Sequence, residues 1–153
     1  MDQKFEIKMT EKKGRGIFAT RIIKKDEKIL EFAGPMIFFE EALLKSPETS
    51  SNPLQIGQQV YIDIEEPGVL ANHSCAPNAG IKNDRFLMAL EDIYPGQEIC
   101  YDYSTTMDED HWTLVCKCEH PLCRGVVKDF KYLPLELQKK YRELGIVQSF
   151  IKK

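Results

Sequence analysis

No apolar run in this sequence approaches the twenty or so residues needed to cross a bilayer. The opening segment, MDQKFEIKMTEKKGRG, has neither an apolar stretch nor a small-residue cleavage site, so nothing there reads as a secretion signal. There is no internal repeat and no low-complexity tract. Basic residues are not in excess either: 21 Lys and Arg stand against 24 Asp and Glu, a net charge of −3. That balance argues against direct nucleic-acid binding, which leaves a basic footprint, and it suits a basic partner such as a lysine-rich peptide or tail. Histidine is scarce, which confines any imidazole ligand to His73, His111 or His120.

What is present is a globular chain. A length of 153 residues, with 42% hydrophobic and 29% charged residues, fits one domain with a real core. With no membrane or secretion signal, the expected location is intracellular, cytoplasmic or nuclear, where thiols stay reduced. The five cysteines are then metal ligands or core residues rather than disulfides.

The first two-thirds of the chain reads as short strands joined by tight turns. Phe5, Ile7 and Met9 alternate with polar residues as in a half-buried strand, and Lys13-Gly14-Arg15-Gly16 turns into Ile17-Phe18-Ala19. Ile29 to Phe32, Val60 to Ile64, Arg85 to Leu90 and Glu98 to Tyr103 are further strand candidates. Tyr94-Pro95-Gly96-Gln97 has the residues of a type II turn. Phe39 to Lys45 suits a short helix, Ser46 to Pro53 is a polar loop, and Ser104 to Asp110 is irregular. Pro134 to Leu144 is the best helix, with Leu137, Tyr141 and Leu144 on one face and Gly145 as its stop. The class is mostly β with small helices.

Cys116-Lys117-Cys118-Glu119-His120-Pro121-Leu122-Cys123 places three thiols within eight residues. Three such ligands converge on one ion with little chain to order, and a structural zinc needs a fourth. Cys75, Cys100, His73, His111 and His120 are available. Cys100 sits in a strand-like run where a buried free thiol is ordinary. His120 lies between two ligands and reaches the same ion poorly, whereas Cys75 lies in a loop next to Pro77. Cysteines packed in a core without metal are the alternative, and an eight-residue polar segment makes poor core.

Four segments, in order, resemble the SET-domain methyltransferases that carry a post-SET zinc motif. Gly14-Arg15-Gly16-Ile17-Phe18-Ala19 looks like the first glycine motif, and Asn72-His73-Ser74-Cys75-Ala76-Pro77-Asn78 is similar to the signature N-H-S-C-x-P-N. Pro95 to Ile99 followed by Tyr101-Asp102-Tyr103 resembles the G-E-E-L-x-[FY]-D-Y segment, and Cys116 to Gly125 the post-SET C-x-C-x4-C-R-G. The resemblance implies several small sheets in a β-clip-like arrangement with a C-terminal pseudoknot, a post-SET zinc knot and a C-terminal helix. It divides the chain into a SET domain (1–110), a post-SET zinc-binding segment (111–127) and a helical extension (128–153). The extension, from Asp129 onward, is similar to those of small stand-alone bacterial members.

The resemblance also implies a chemistry: methyl transfer from S-adenosylmethionine to a lysine side-chain amine, with one structural zinc held by Cys75, Cys116, Cys118 and Cys123. Tyr103 would orient the amine and border the cofactor. Tyr101, at the family's Phe/Tyr switch, would favour mono- or dimethylation. Asn72 and His73 would contact the cofactor, Gly14, Arg15, Gly16 and Ile17 would offer it backbone groups, and Trp112 would lie against its adenine. Taken alone, the glycines are a turn, Asn72-His73 a polar loop, the two tyrosines a strand pair, and Trp112 an anchor.

Departures from the pattern are the replacement of the usual Arg or Phe before N-H-S-C by Val69-Leu70-Ala71, and the lack of a pre-SET cysteine cluster. The rival function is a catalytically inactive, zinc-stabilised module that binds a basic peptide. The expected partner in both cases is a lysine-containing protein. Nucleic acid enters only through a chromatin substrate, and no membrane is involved. The short insert at Phe39 to Ile64 offers little surface for reading a peptide, so either specificity is low or a second chain helps; a homodimer is one further partner to expect.

Overall fold

The computed structural model describes residues 3–46, 49 and 52–151. Gly14, at φ +72°, reverses the chain after strand β1 (Phe5–Met9) so that β2 (Arg15–Ala19) runs back against it, Phe5 opposite Ala19 and Met9 opposite Arg15. The expected half-burial of β1 is not realised: Ile7 and Met9 are exposed, and only Phe5 meets the core. β2 supplies the buried core residues of this ribbon, Ile17 and Ala19, and β1 lies outside β2, so periodicity in β1 has nothing to bury against.

Next come β3 (Lys28–Glu31), β4 (Met36–Phe38), helix α1 (Phe39–Leu43), β5 (Pro53–Gly57) and β6 (Val60–Asp63). The carboxylate of Glu41 accepts the Phe38 N–H at 3.3 Å, which satisfies one orphan donor at the start of α1. Of the Ser46–Pro53 loop expected from the sequence, residues 47, 48, 50 and 51 lie outside the described residues, and Pro53 already belongs to β5. The chain continues through β7 (Asn72–His73), β8 (Ala79–Lys82), β9 (Phe86–Ala89), β10 (Cys100–Tyr101), β11 (Leu114–Val115), β12 (Val126–Val127) and helix α2 (Leu135–Leu144).

These strands form five small sheets: β1-β2, β3-β9-β8, β4-β6-β5, the parallel pair β10-β7 and the pair β11-β12. Single bridges, Phe18 to Glu98 and Ile23 to Ile93, stitch neighbouring sheets together. One core lies between them, with Ile17, Ile23, Phe32, Leu87, Ile93 and Ile99 fully buried. Each such side chain contributes about 1.5–3 kcal/mol. A second cluster, Phe130, Leu133, Tyr141, Ile146 and Ile151, seats the C-terminal segment. Ile146 packs where only a glycine leaves room: a Cβ on Gly80 would stand 2.6 Å from its Cγ2.

Helix α2 matches its sequence signals. Pro134 caps its start, and Gly145 at φ +73° ends it in a Schellman turn, with Ile146 N–H bonded to Tyr141 C=O and Gly145 N–H to Arg142 C=O. The Glu98–Tyr103 strand is shorter than expected. Asp102 accepts the Ser104 N–H at 3.0 Å and caps a 3-10 turn over Tyr103–Thr106, so regular pairing stops at Tyr101. Among the described residues no helix is long and apolar enough to cross a membrane.

Candidate active site and metal centre

The loop after β7 clamps the segment that carries both tyrosines. Asn78 uses its amide like a short strand, donating to Glu98 C=O at 2.8 Å and accepting Cys100 N–H at 3.0 Å. Ser74 N–H bonds Tyr101 C=O at 3.1 Å, and Tyr103 N–H donates to His73 Nδ1 at 3.0 Å. Asn72 reaches the other way, donating to Arg15 C=O at 3.1 Å and to the Glu98 carboxylate at 2.9 Å. The glycine turn, the Asn-His loop and the Tyr-Asp-Tyr segment, far apart in sequence, are thus one hydrogen-bonded unit.

Two cavities flank this unit, and Tyr103 lines both. The first is aromatic and acidic, with walls from Tyr61, Tyr101, Tyr103 and Trp112 and carboxylates from Asp108, Glu109 and Asp129. Glu109 is held by Gln55 Nε2 at 2.6 Å and the Gln59 N–H at 3.1 Å. The second cavity is bounded by Lys12, Lys13, Lys117, Asn72, His73, Leu114 and Val115. Carboxylates line the first and lysines the second.

Tyr103 and Tyr101 rings lie 4.8 Å apart, and the Tyr103 hydroxyl donates to Ala71 C=O at 2.6 Å. Burial pushes both phenols above their usual value, so both keep their protons near neutrality. Burial drives His73 down to about 4, against the pull of Asp102, and leaves a neutral imidazole. Its Nδ1 already accepts the Tyr103 N–H, so the ring proton resides on Nε2, 3.3 Å from Cys75 Sγ.

The four cysteines meet. The Sγ atoms of Cys75, Cys116, Cys118 and Cys123 all lie within 4.8 Å of one another, and Cys75 and Cys116 are 3.7 Å apart. A tetrahedral zinc with bonds of about 2.3 Å sets its sulfurs about 3.8 Å apart, so the donor set fits. Backbone amides already point at the sulfurs: Arg124 N–H at Cys75 and Cys118 N–H at Cys116, each 3.4 Å. Burial opposes ionisation of Cys118, yet the amides of Cys75 and His120 and the adjacent thiols outweigh it and bring it to about 7. Cys100 stands apart, a buried free thiol raised to about 12 by burial. His120 turns its Nδ1 to the Leu122 N–H instead, and His111 packs edge-on against Phe39.

The other cofactor candidates of the resemblance take these places. Trp112 borders the aromatic cavity, 6.2 Å from the Tyr103 ring, and neighbouring His111 packs against Phe39. Ile17 is fully buried in the core. Gly14, Arg15 and Gly16 do not line the second cavity. Arg15 pairs with Glu66, and Gly16 is small because Asn72 and Glu98 cross over it: a Cβ there would meet their side chains at 2.9 and 2.6 Å. The residues that do line it, Lys12, Lys13, Leu114, Val115 and Lys117, carry no spacing signal. The one sequence hint was the pair of lysines next to Gly14.

Comparison with known proteins gives this arrangement a family. Residues 14–104, more than half of the chain, match the SET domain model. The chain is similar to the variant-silencing SET domain-containing protein of Plasmodium falciparum, 34% identical over 77% of this chain and 5% of that protein. It is also similar to the histone-lysine N-methyltransferase trr of Drosophila melanogaster, 29% identical over 72% of this chain and 5% of the relative. The chain therefore spans only a small part of the length of these relatives. Its fold is similar to that of Arabidopsis thaliana SUVH6, solved in complex with SAM, with a TM-score of 0.68 at 23% identity, covering 84% of this chain and 33% of that one. By its match over residues 14–104 and its fold, the chain belongs to the SET-domain family.

Proposed function

We propose that this chain is the catalytic unit of a protein-lysine N-methyltransferase that uses S-adenosylmethionine. The carrying observation is that one tyrosine, Tyr103, lines two cavities of opposite character. A lysine chain enters the aromatic, acidic cavity, and the methyl donor occupies the basic one. The two reactants then approach in line across Tyr103 without competing for space.

The donor supplies an electrophilic methyl group on a sulfonium: the amine lone pair forms the N–C bond while the S–C pair returns to sulfur. Everything else falls to the chain. Lys12, Lys13 and Lys117 suit the donor's carboxylate, with Asn72 and His73 as polar contacts and Leu114 and Val115 as an apolar wall. Desolvation in the narrow space between the tyrosines disfavours an ammonium, so the substrate amine loses its proton to solvent before transfer. The Tyr103 hydroxyl, its hydrogen committed to Ala71 C=O, presents a lone pair to an amine N–H. Tyr101 narrows the same channel with a second hydroxyl, which favours mono- or dimethylation. Asp108, Glu109 and Asp129 select a basic segment around the target lysine.

The residues that hold zinc in this reading are Cys75, Cys116, Cys118 and Cys123, and the ion's role is structural. It pins 111–127 beside the body (1–110), so that Leu114, Val115 and Lys117 form a wall of the donor cavity. The Drosophila relative's name makes a histone-tail peptide the first substrate to try. The test is calorimetry of S-adenosylmethionine with zinc-loaded protein, then mass spectrometry of a lysine-rich tail peptide. Donor binding with methylated lysine supports the proposal; absence of donor binding overturns it.

A further inference from the structure

Between Tyr101 and Tyr103 lies Asp102, whose side chain is fully buried. One carboxylate oxygen accepts Ser104 N–H at 3.0 Å and Arg124 Nη2 at 2.8 Å. The other accepts the Tyr141 hydroxyl at 2.9 Å. Arg124 directly follows a cysteine of the metal cluster, and Tyr141 comes from α2, which falls outside residues 14–104. A buried carboxylate is held in place by what neutralises and hydrogen-bonds it. Here those groups come from two separate C-terminal segments.

The segment carrying Tyr141 is itself firmly seated. The Tyr141 ring is 2% exposed among Phe130, Leu133 and Ile146. Gln148 N–H bonds Thr105 C=O at 3.1 Å, inside the turn that begins at Tyr103, and its amide reaches Gln55 C=O at 2.8 Å. Helix α2 is therefore docked on the back of the tyrosine segment, and the Tyr141 hydroxyl is aimed from it at Asp102.

We infer that Tyr141 is a positioning residue for the proposed methyl transfer: its hydroxyl fixes Asp102, and Asp102 fixes where the Tyr101 and Tyr103 side chains stand. Loss of the hydroxyl leaves a charged oxygen without its partner in a dry site, so the carboxylate reorients. The backbone between the tyrosines turns with it. This inference rests on the proposed reaction for its kinetic readout but not for its spectroscopic one. The only tryptophan, Trp112, lies 6.2 Å from the Tyr103 ring and reports movement of that ring without any turnover.

The experiment compares Tyr141→Phe with Leu137→Ala in the full, zinc-loaded chain. Leu137 is a partly buried neighbour on the same helix and touches neither tyrosine by hydrogen bond. Tyr141→Phe keeps the ring, so the thermal midpoint stays near wild type while kcat falls roughly ten- to a hundredfold at unchanged KM. Trp112 emission shifts as well. Leu137→Ala lowers the midpoint and leaves kcat and emission alone. If Tyr141→Phe changes neither kcat nor emission, or if both variants lose kcat in step with their midpoints, the inference is overturned. If wild type shows no turnover, the methyltransferase proposal fails; an emission shift confined to Tyr141→Phe still supports the positioning role, and its absence overturns it.

Discussion

His73 holds its Nε2 3.3 Å from Cys75 Sγ while its Nδ1 accepts the backbone N–H of Tyr103 at 3.0 Å. One neutral imidazole thus joins a cysteine of the metal cluster to the tyrosine at the junction of the two cavities. It also lines the basic cavity itself. A change at the cluster has a two-bond route to the proposed donor site.

Metal removal should therefore damage more than stability. Chelation or Cys75→Ser releases the 111–127 segment, and with it Leu114, Val115 and Lys117 from the donor cavity. The expected result is a lower thermal midpoint together with S-adenosylmethionine affinity weakened at least tenfold. Calorimetry before and after chelation measures both. Donor affinity that survived complete metal removal would contradict the link through His73.

Tyr103→Phe isolates the hydroxyl. The ring still separates the two cavities, so donor affinity stays within a fewfold of wild type. The lone pair offered to the amine is gone, and kcat falls roughly a hundredfold or more. Single-turnover rates with saturating donor and peptide test this. An unchanged rate would remove Tyr103 from the chemistry.

Much of this was legible in the sequence, and unevenly so. Three of the four thiols and the Tyr-Asp-Tyr segment stand out by residue type and short spacing, Cys75 was assigned with the help of the resemblance, and the structure brings each set together. Helix α2 was legible because its proline, apolar face and glycine agree with one another. The expectation for β1 failed because Ile7 and Met9 have strand periodicity but no core beneath them. The lysines of the donor cavity come from 12–13 and 117, brought together only by folding, and no local pattern marks them.

Acid should weaken the protein through Glu27. Arg21 above all, then the Lys24 N–H, hold its carboxyl at about 2, well below its ordinary 4.5; burial pulls the other way, and Lys4 adds a lesser downward pull. A depressed folded value means the contribution is full above pH 4.5 and drains away as pH falls toward 2. Thermal midpoints of wild type and Glu27→Gln should therefore differ at pH 7 and converge near pH 2. A gap that stayed constant over that range would show that the carboxylate charge is not the cause.

Gly16→Ala tests whether the glycine turn acts through its neighbours. The added methyl would come within 2.6 Å of the Glu98 carboxylate and 2.9 Å of the Asn72 amide, two groups bonded to each other at 2.9 Å. Both are ends of side chains, so the fold yields rather than breaks, and the thermal midpoint drops only modestly. Both groups must shift, and Asn72 borders the proposed donor cavity. S-adenosylmethionine affinity should fall roughly tenfold, about 1.4 kcal/mol, while Gly14→Ala, whose added methyl meets nothing within 4 Å, should leave affinity intact and cost only backbone strain. Equal affinity losses in the two variants would mean that the turn's conformation, and not the close approach of Asn72, governs the donor cavity.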